Sequence, residues 1–485
     1  MTNPLSGDDL HRRSIEALDV SRLSHRIASI VAPIICHFAA AIEERAISDG
    51  IDVLWFMARD GYLPMRVYQL VRGEEAPPAR YLCVSRKSVS AASSPSYGLR
   101  EAFLAEWNGE NSRLETLMAP FGLETSEVGE IAAKYGFSSP EEHVDFKSDP
   151  RFHALCGDSY LQGRMQSNCS KAQEALLAYL SSSGFLAPHN AGLVDVGWAG
   201  QIQEALQIAV AGDTDRSPDI RGYYMALRDL GGMRRLAGVR SSGLLFDCAD
   251  PEWKGQSILS CVDTYEDTCR ALHGTVVAYD DGQPLFAANT VSRKMEIADE
   301  PRLAALHDAI LIYARTWSRL RLSLGTPLSE TRRTALDACV SLGRFPTAEQ
   351  SAYFTSLGHS LDFGSGVDVG SRNETRIGFL ASLRRAKHAR WKEGSIASSF
   401  LRLPLQIAIC VLRRRKGSRT VPLPIGKETM RAERTSYHTL PHPCFPDIRV
   451  SPLDEVGSKG EFYFPGGGLE RYAVRISNCV AKVGA

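Results

Sequence analysis

Two short stretches of this sequence set acids, a guanidinium and glycines directly behind apolar runs. VLWFMARDGYLP carries Arg59, Asp60 and Gly61, and GLVDVGWAGQIQ carries Asp195, Val196, Gly197, Trp198, Ala199 and Gly200. Glycines let backbone N–H groups approach an anion, and a helix starting just behind them adds roughly half a positive charge. One carboxylate in each stretch, Asp60 and Asp195, suits a sugar hydroxyl or a magnesium ion. The planar guanidinium of Arg59 suits a two-point grip on phosphate. Taken singly, each stretch is also what an ordinary strand-to-helix turn looks like. Taken together, two such cradles opening into one cleft fit a ligand with phosphates at both ends.

The elements that must carry these groups follow from the flanking patterns. Val53 to Asp60 is apolar, too short for a helix and bounded by Gly50 and Gly61, which predicts a buried parallel strand. Tyr62 to Val71 predicts a helix with Pro64 in its first turn. After a break at Gly73 to Pro78, Tyr81 to Val89 predicts a second strand carrying Ser85 and Arg86, completing a right-handed βαβ unit. Ala191 to Trp198 predicts another strand, GQIQEALQIAVAG a helix, and Arg221 to Arg228 and Ser242 to Phe246 two further strands. The fold class expected is α/β with a parallel sheet, whose ligands bind beyond the carboxyl ends of the strands.

Around this core, helical patterning runs from about Val20 to Ser48, and a mixed, mostly helical insertion is expected over about 99–185. Beyond Asp250 strand signals fade, with helical patches near 300–325, 331–342, 347–357 and 374–390. The expected organisation is an α/β unit over 1–250 including the insertion, a mostly helical domain over 251–417 and a Pro- and Gly-rich tail over 418–485.

Composition narrows the partners. The 485 residues are 44% hydrophobic and 23% charged, enough to bury a sizeable core. Lys+Arg and Asp+Glu both number 56, so no global field draws nucleic acid. Eleven cysteines occur without a CxxC pair, which argues against a disulfide framework. The N-terminus lacks a signal-peptide pattern. The apolar run Ile27 to Ile42, interrupted by Pro33 and His37, falls short of the ~20 residues a spanning helix needs. A cytoplasmic protein is expected, with at most peripheral contact at the inner membrane face through the basic segment Phe400 to Arg419.

Other motifs carry less. Asp213-Thr214-Asp215 sits in a polar turn rather than at a strand end, the acidic stretches 263–267 and 280–281 lack the right preceding strand, and Pro465 to Gly468 has no following GK[ST]. His438, His442 and Cys444 have spacing that can bind zinc, but no cysteine pair accompanies them.

VLWFMARDGYLP with its helix resembles the pyrophosphate loop of type I phosphoribosyltransferases, YLCVSRK their next strand, and GLVDVGWAGQIQEAL their phosphoribosyl-pyrophosphate loop. Together with VAPIICHF, these stretches resemble a bacterial polysaccharide-assembly family understood as glycan phosphoribosyltransferases, often fused to and labelled as HAD-like hydrolases. The resemblance spans about Val20 to Phe246. It departs from the type I pattern in two places. Asp195 is flanked by Val194 and Val196 instead of a second acid, and Ala199, Gly200 and Gln201 stand where Thr or Ser is usual.

The resemblance implies a type I phosphoribosyltransferase-like core and transfer of ribose 5-phosphate from phosphoribosyl pyrophosphate to a glycan acceptor, lipid-linked or not, with Mg2+. Arg59, Asp60 and Asp195 are the expected catalytic residues, with Asp60 and Asp195 also as metal ligands. Gly61, Tyr62, Ser85, Arg86, Gly197, Trp198, Ala199, Gly200 and Gln201 are the expected substrate contacts. A separate HAD-type phosphatase would act on the product. Two alternatives remain open: a HAD-like phosphohydrolase, and a non-catalytic scaffold that binds a phosphosugar.

Overall fold

A computed structural model describes residues 5–93, 112–118, 121–144, 149–211, 217–228 and, with short gaps, 231–358, together with 391–397 and brief pieces at 389, 405–407, 440–442 and 445–450. The architecture is α/β. Five strands, β1 (Val53–Met57), β2 (Ala79–Leu82), β3 (Asn190–Trp198), β4 (Asp219–Leu227) and β5 (Arg240–Asp247), form one sheet in the order β2-β1-β3-β4-β5. Every neighbouring pair is parallel, with Phe56 opposite both Tyr81 and Val194, and Asp195 opposite Tyr224. The chain steps from β1 to β2 on one side and then returns to lay β3 on the other. Such a reversal opens a crevice at the carboxyl ends of β1 and β3.

The helices that frame the sheet are α1 (Gly7–Ile15), α2 (Leu23–Ser48), α3 (Tyr62–Val71), α4 (Arg86–Ser93), α5 (Thr125–Lys134), α6 (Ser159–Ser183), α7 (Gln201–Val210), α8 (Val262–Cys269), α9 (Val291–Leu324), α10 (Leu328–Arg344) and α11 (Ala348–Thr355). Successive strand residues point to opposite faces, and both faces are covered, so β1 is apolar throughout. Leu54 and Phe56 join the core with α2, α9 and α10, whereas Trp55 and Met57 join Val89 of α4, Leu180 of α6 and Leu206 of α7. The apolar core therefore continues across residue 250. The window of α2 that is long and apolar enough to cross a membrane is 78% buried inside the protein. Within the insertion, α5 and α6 build a separate small core around Phe121, Phe152 and Met165.

Several expected boundaries shift, each for a local reason. β1 ends at Met57 rather than Asp60, because residues 58–61 turn. The second strand stops at Leu82, and Arg86 opens a helix instead of extending a strand. Ser85 starts that helix by accepting the Ser88 N–H on its hydroxyl at 3.1 Å. The third strand keeps its expected end at Trp198, with Asp195 inside it rather than in the turn that follows. Strands also reappear after residue 250 as a hairpin, β6 (Val276–Asp280) and β7 (Gln283–Phe286). Its turn puts Asp281 and Gly282 at φ 44° and 69°, the left-handed pair that an Asp-Gly hairpin turn needs. The acidic stretch 263–267 is helical, inside α8.

Among the described residues no disulfide joins the cysteines. His442 lies in a short strand, Leu440–His442, paired with Phe445–Val450. Residues 213–215, 374–388, 400–404, 408–419 and 465–468, together with His438 and Cys444, lie outside the described residues.

Candidate functional site

Because β1 and β3 are direct neighbours, their carboxyl ends deliver both motifs to one corner. At the end of β1 the chain turns so tightly that a Cβ on Gly61 would sit 2.5 Å from the Met57 carbonyl oxygen, while the Gly61 N–H donates to that oxygen at 2.8 Å. The Arg59 carbonyl accepts from the N–H groups of Tyr62 (3.2 Å) and Ala271 (3.0 Å). At the end of β3 a Cβ on Gly197 would meet the Ala226 carbonyl oxygen at 2.9 Å, and Gly200 adopts φ 71° to start α7. The Ala58–Arg59 and Gly197–Trp198 peptides are both cis.

The two helices behind these turns begin at glycines, Gly61 and Gly200, with no side-chain cap, a lack shared by α2, α8 and α10, whereas Ser6, Asp158 and Thr347 cap α1, α6 and α11. First-turn N–H groups without a side-chain acceptor carry the positive end of the helix dipole and suit an anion.

The acids of the corner sense one another. Asp195 is 8% exposed. Its burial, then the negative charge of Asp60, push its carboxyl well above the usual 3.8; Glu266 adds to this, and Arg86 and the Val196 N–H oppose it. That N–H donates to Oδ1 at 2.8 Å. Asp60 is half-buried, and Arg86 is exposed at the start of α4. Two carboxylates in such a corner repel unless one is protonated or a cation joins them.

Arg59 is held from the far side. Its Nη1 donates to Glu296 Oε1 at 2.6 Å, and Glu296 is 3% exposed. Arg270 and Arg293 stand 3.5 Å from the same carboxylate. Arg293 also donates to Glu300 (2.7 Å) and to the Leu272 carbonyl (2.5 Å), and Arg270 to the Gly358 carbonyl (2.8 Å). The carboxylate that hydrogen-bonds and orients Arg59 is thus Glu296, contributed by α9.

Arg59, Asp60, Gly61, Arg86, Asp195, Gly197, Trp198, Ala199, Gly200 and Gln201 all belong to elements that end or begin at this corner. Tyr62 packs against Tyr81 and His307, each with ring centroids 6.0 Å away. Ser85 is a peg rather than an open contact, since its hydroxyl donates to the Val276 carbonyl at 2.6 Å and caps α4. The Ala199 carbonyl is fixed by Arg234 at 2.9 Å, itself paired with buried Glu204 at 2.5 Å. Trp198 donates its indole N–H to Glu266 at 2.6 Å.

Sequence reasoning set the acidic stretch 263–267, with Glu266, aside for want of a preceding strand, and it passed over Glu296, Arg270 and Arg293, whose surroundings read as ordinary polar sequence. His273 is likewise unannounced. Its Nδ1 lies 2.8 Å from the Gly274 carbonyl and so carries the proton, which leaves Nε2 to accept from the Tyr81 hydroxyl at 2.8 Å.

Among the described residues no group of three or more His, Cys, Asp or Glu is arranged to hold a metal ion by itself. A pair of carboxylates that completes its coordination with ligand phosphates is the pattern that suits magnesium. The chain matches no protein-family model and no curated protein.

Proposed function

We propose that this protein is a glycan phosphoribosyltransferase with a type I phosphoribosyltransferase-like core, which moves ribose 5-phosphate from phosphoribosyl pyrophosphate to a polysaccharide acceptor. The observation that carries the reading is the meeting of two uncapped, glycine-started helices with Asp60 and Asp195 at the reversal of a parallel sheet. A bis-phosphorylated sugar needs anion cradles at both ends and acids between them for hydroxyls and a cation.

In this reading the α3 N-terminus and Arg59 bind pyrophosphate, and the α7 N-terminus binds the 5-phosphate through backbone N–H groups, since Ala199 and Gly200 supply no hydroxyl. Asp195 accepts hydrogen bonds from the ribose hydroxyls. Asp60 and Asp195 fit magnesium, which would neutralise the departing pyrophosphate. The C1–O bond to pyrophosphate breaks with its electron pair leaving on oxygen, the ribose passes through an oxocarbenium-like state, and the acceptor oxygen bonds to C1. Preorganised donors aimed at the leaving group are often the largest contribution, about 3 kcal/mol for a single one.

Incubation with phosphoribosyl pyrophosphate, magnesium and a panel of simple glycosides should release pyrophosphate, and should fail in Asp60→Asn. Hydrolysis of a generic phosphate ester, lost in the same variant, would favour the HAD-like phosphohydrolase. Binding without turnover would favour the phosphosugar-binding scaffold.

A further inference from the structure

We infer that Glu266 is the base that takes the proton from the acceptor hydroxyl; this rests on the transfer reading above. Helix α8 closes the third side of the corner and touches both motifs. Glu266 Oε1 accepts from the Trp198 indole at 2.6 Å, and just past the helix the Ala271 N–H holds the Arg59 carbonyl at 3.0 Å. The Thr268 carbonyl lies 2.8 Å from His307 Nε2, which ties α8 to α9. Glu266 is therefore fixed relative to the ends of both β1 and β3.

The three acids of the corner are not equivalent. Asp60 and Asp195 stand at the strand ends, where phosphates and a cation belong. Asp195 is over nine-tenths buried, and the Val196 N–H donates to its Oδ1. Glu266 acts on Asp195 electrostatically, yet it comes from α8 rather than from a strand end and is half-buried, as is the indole beside it. A partly exposed carboxylate next to an indole suits a sugar ring approaching from solvent, with the ring against the indole and a hydroxyl on the carboxylate.

In the step itself the acceptor O–H proton passes to Glu266, the oxygen electron pair forms the bond to C1, and the C1–pyrophosphate bond breaks. The proton then leaves Glu266 to solvent.

The test uses the full chain with Mg2+ and phosphoribosyl pyrophosphate, and with glycerol or azide as the nucleophile. Azide has no proton to give up and needs no base. Glu266→Gln should lose pyrophosphate release with glycerol by about 10²–10³-fold, keep it with azide, and bind phosphoribosyl pyrophosphate as the wild type does. Glu266→Asp should recover part of the glycerol rate. Equal losses with glycerol and azide, or no loss with either, would overturn the assignment. A wild-type protein that binds phosphoribosyl pyrophosphate but releases pyrophosphate to neither nucleophile removes the transfer reading, and this inference with it.

Discussion

Asp158 in the helical insertion and Asp195 in the sheet are buried alike, 7% and 8% exposed, yet their surroundings are opposite. Asp158 receives the Leu161 N–H at 2.9 Å, the Tyr135 hydroxyl at 2.7 Å and the Lys134 ammonium at 2.5 Å. These donors, Lys134 foremost, hold its carboxyl below the usual 3.8. Asp195 receives one N–H from the next residue and faces Asp60 and Glu266, so its carboxyl rises. The first aspartate serves the fold. The second is kept at a cost to the fold, the pattern of a group whose missing partner is a ligand or a cation.

The largest effect should come from the network behind Arg59. Removing one member of a buried ionic group strands the others, so Glu296→Ala should lower unfolding free energy by about 3–5 kcal/mol in urea melts. A loss under about 1 kcal/mol would mean that the three arginines find solvent, and the corner would then be no stiffer than a surface.

Asp195→Asn should cut pyrophosphate release by about 10²–10³-fold while raising Tm. The sign follows from proton binding. A carboxyl raised in the folded state holds its proton when the unfolded chain has lost it, so stability falls as pH climbs above 3.8. The Asn variant escapes that fall, and its Tm advantage should widen between pH 4 and pH 8. An Asn variant less stable than wild type throughout that range would erase the contrast with Asp158.

Asp158→Ala should cost about 1–2 kcal/mol as a lost helix cap and leave pyrophosphate release unchanged. Here the sign reverses. The depressed carboxyl stabilises the fold fully above 3.8 and loses that contribution as pH falls through its folded value, so the deficit of the variant should shrink in acid.

Much of this was legible in the chain. β1 as an apolar run, α3 from Tyr62 to Val71 and β3 ending at Trp198 follow from local composition and glycine punctuation, because a strand buried on both faces must be apolar throughout. The hairpin around Asp281-Gly282 was missed, because the weak pattern of its flanking strands hid a turn that the dipeptide alone could have suggested. The ends of strands were less legible. At Ser85 and Arg86 a helix starts where a strand was expected, with Ser85 and Ser88 each accepting the other's N–H on its hydroxyl, a local pairing that apolar patterning does not announce.

The sequence by itself determined which residues stand behind each strand, since periodicity and turn chemistry act over a few neighbours. Only the tertiary structure decided that β3 lies against β1, that Asp195 therefore feels Asp60, and that Glu266 and Glu296 reach Trp198 and Arg59 from distant helices. Those relations arise from strand order and helix docking, where the energy is shared among many apolar contacts and no single residue announces the outcome.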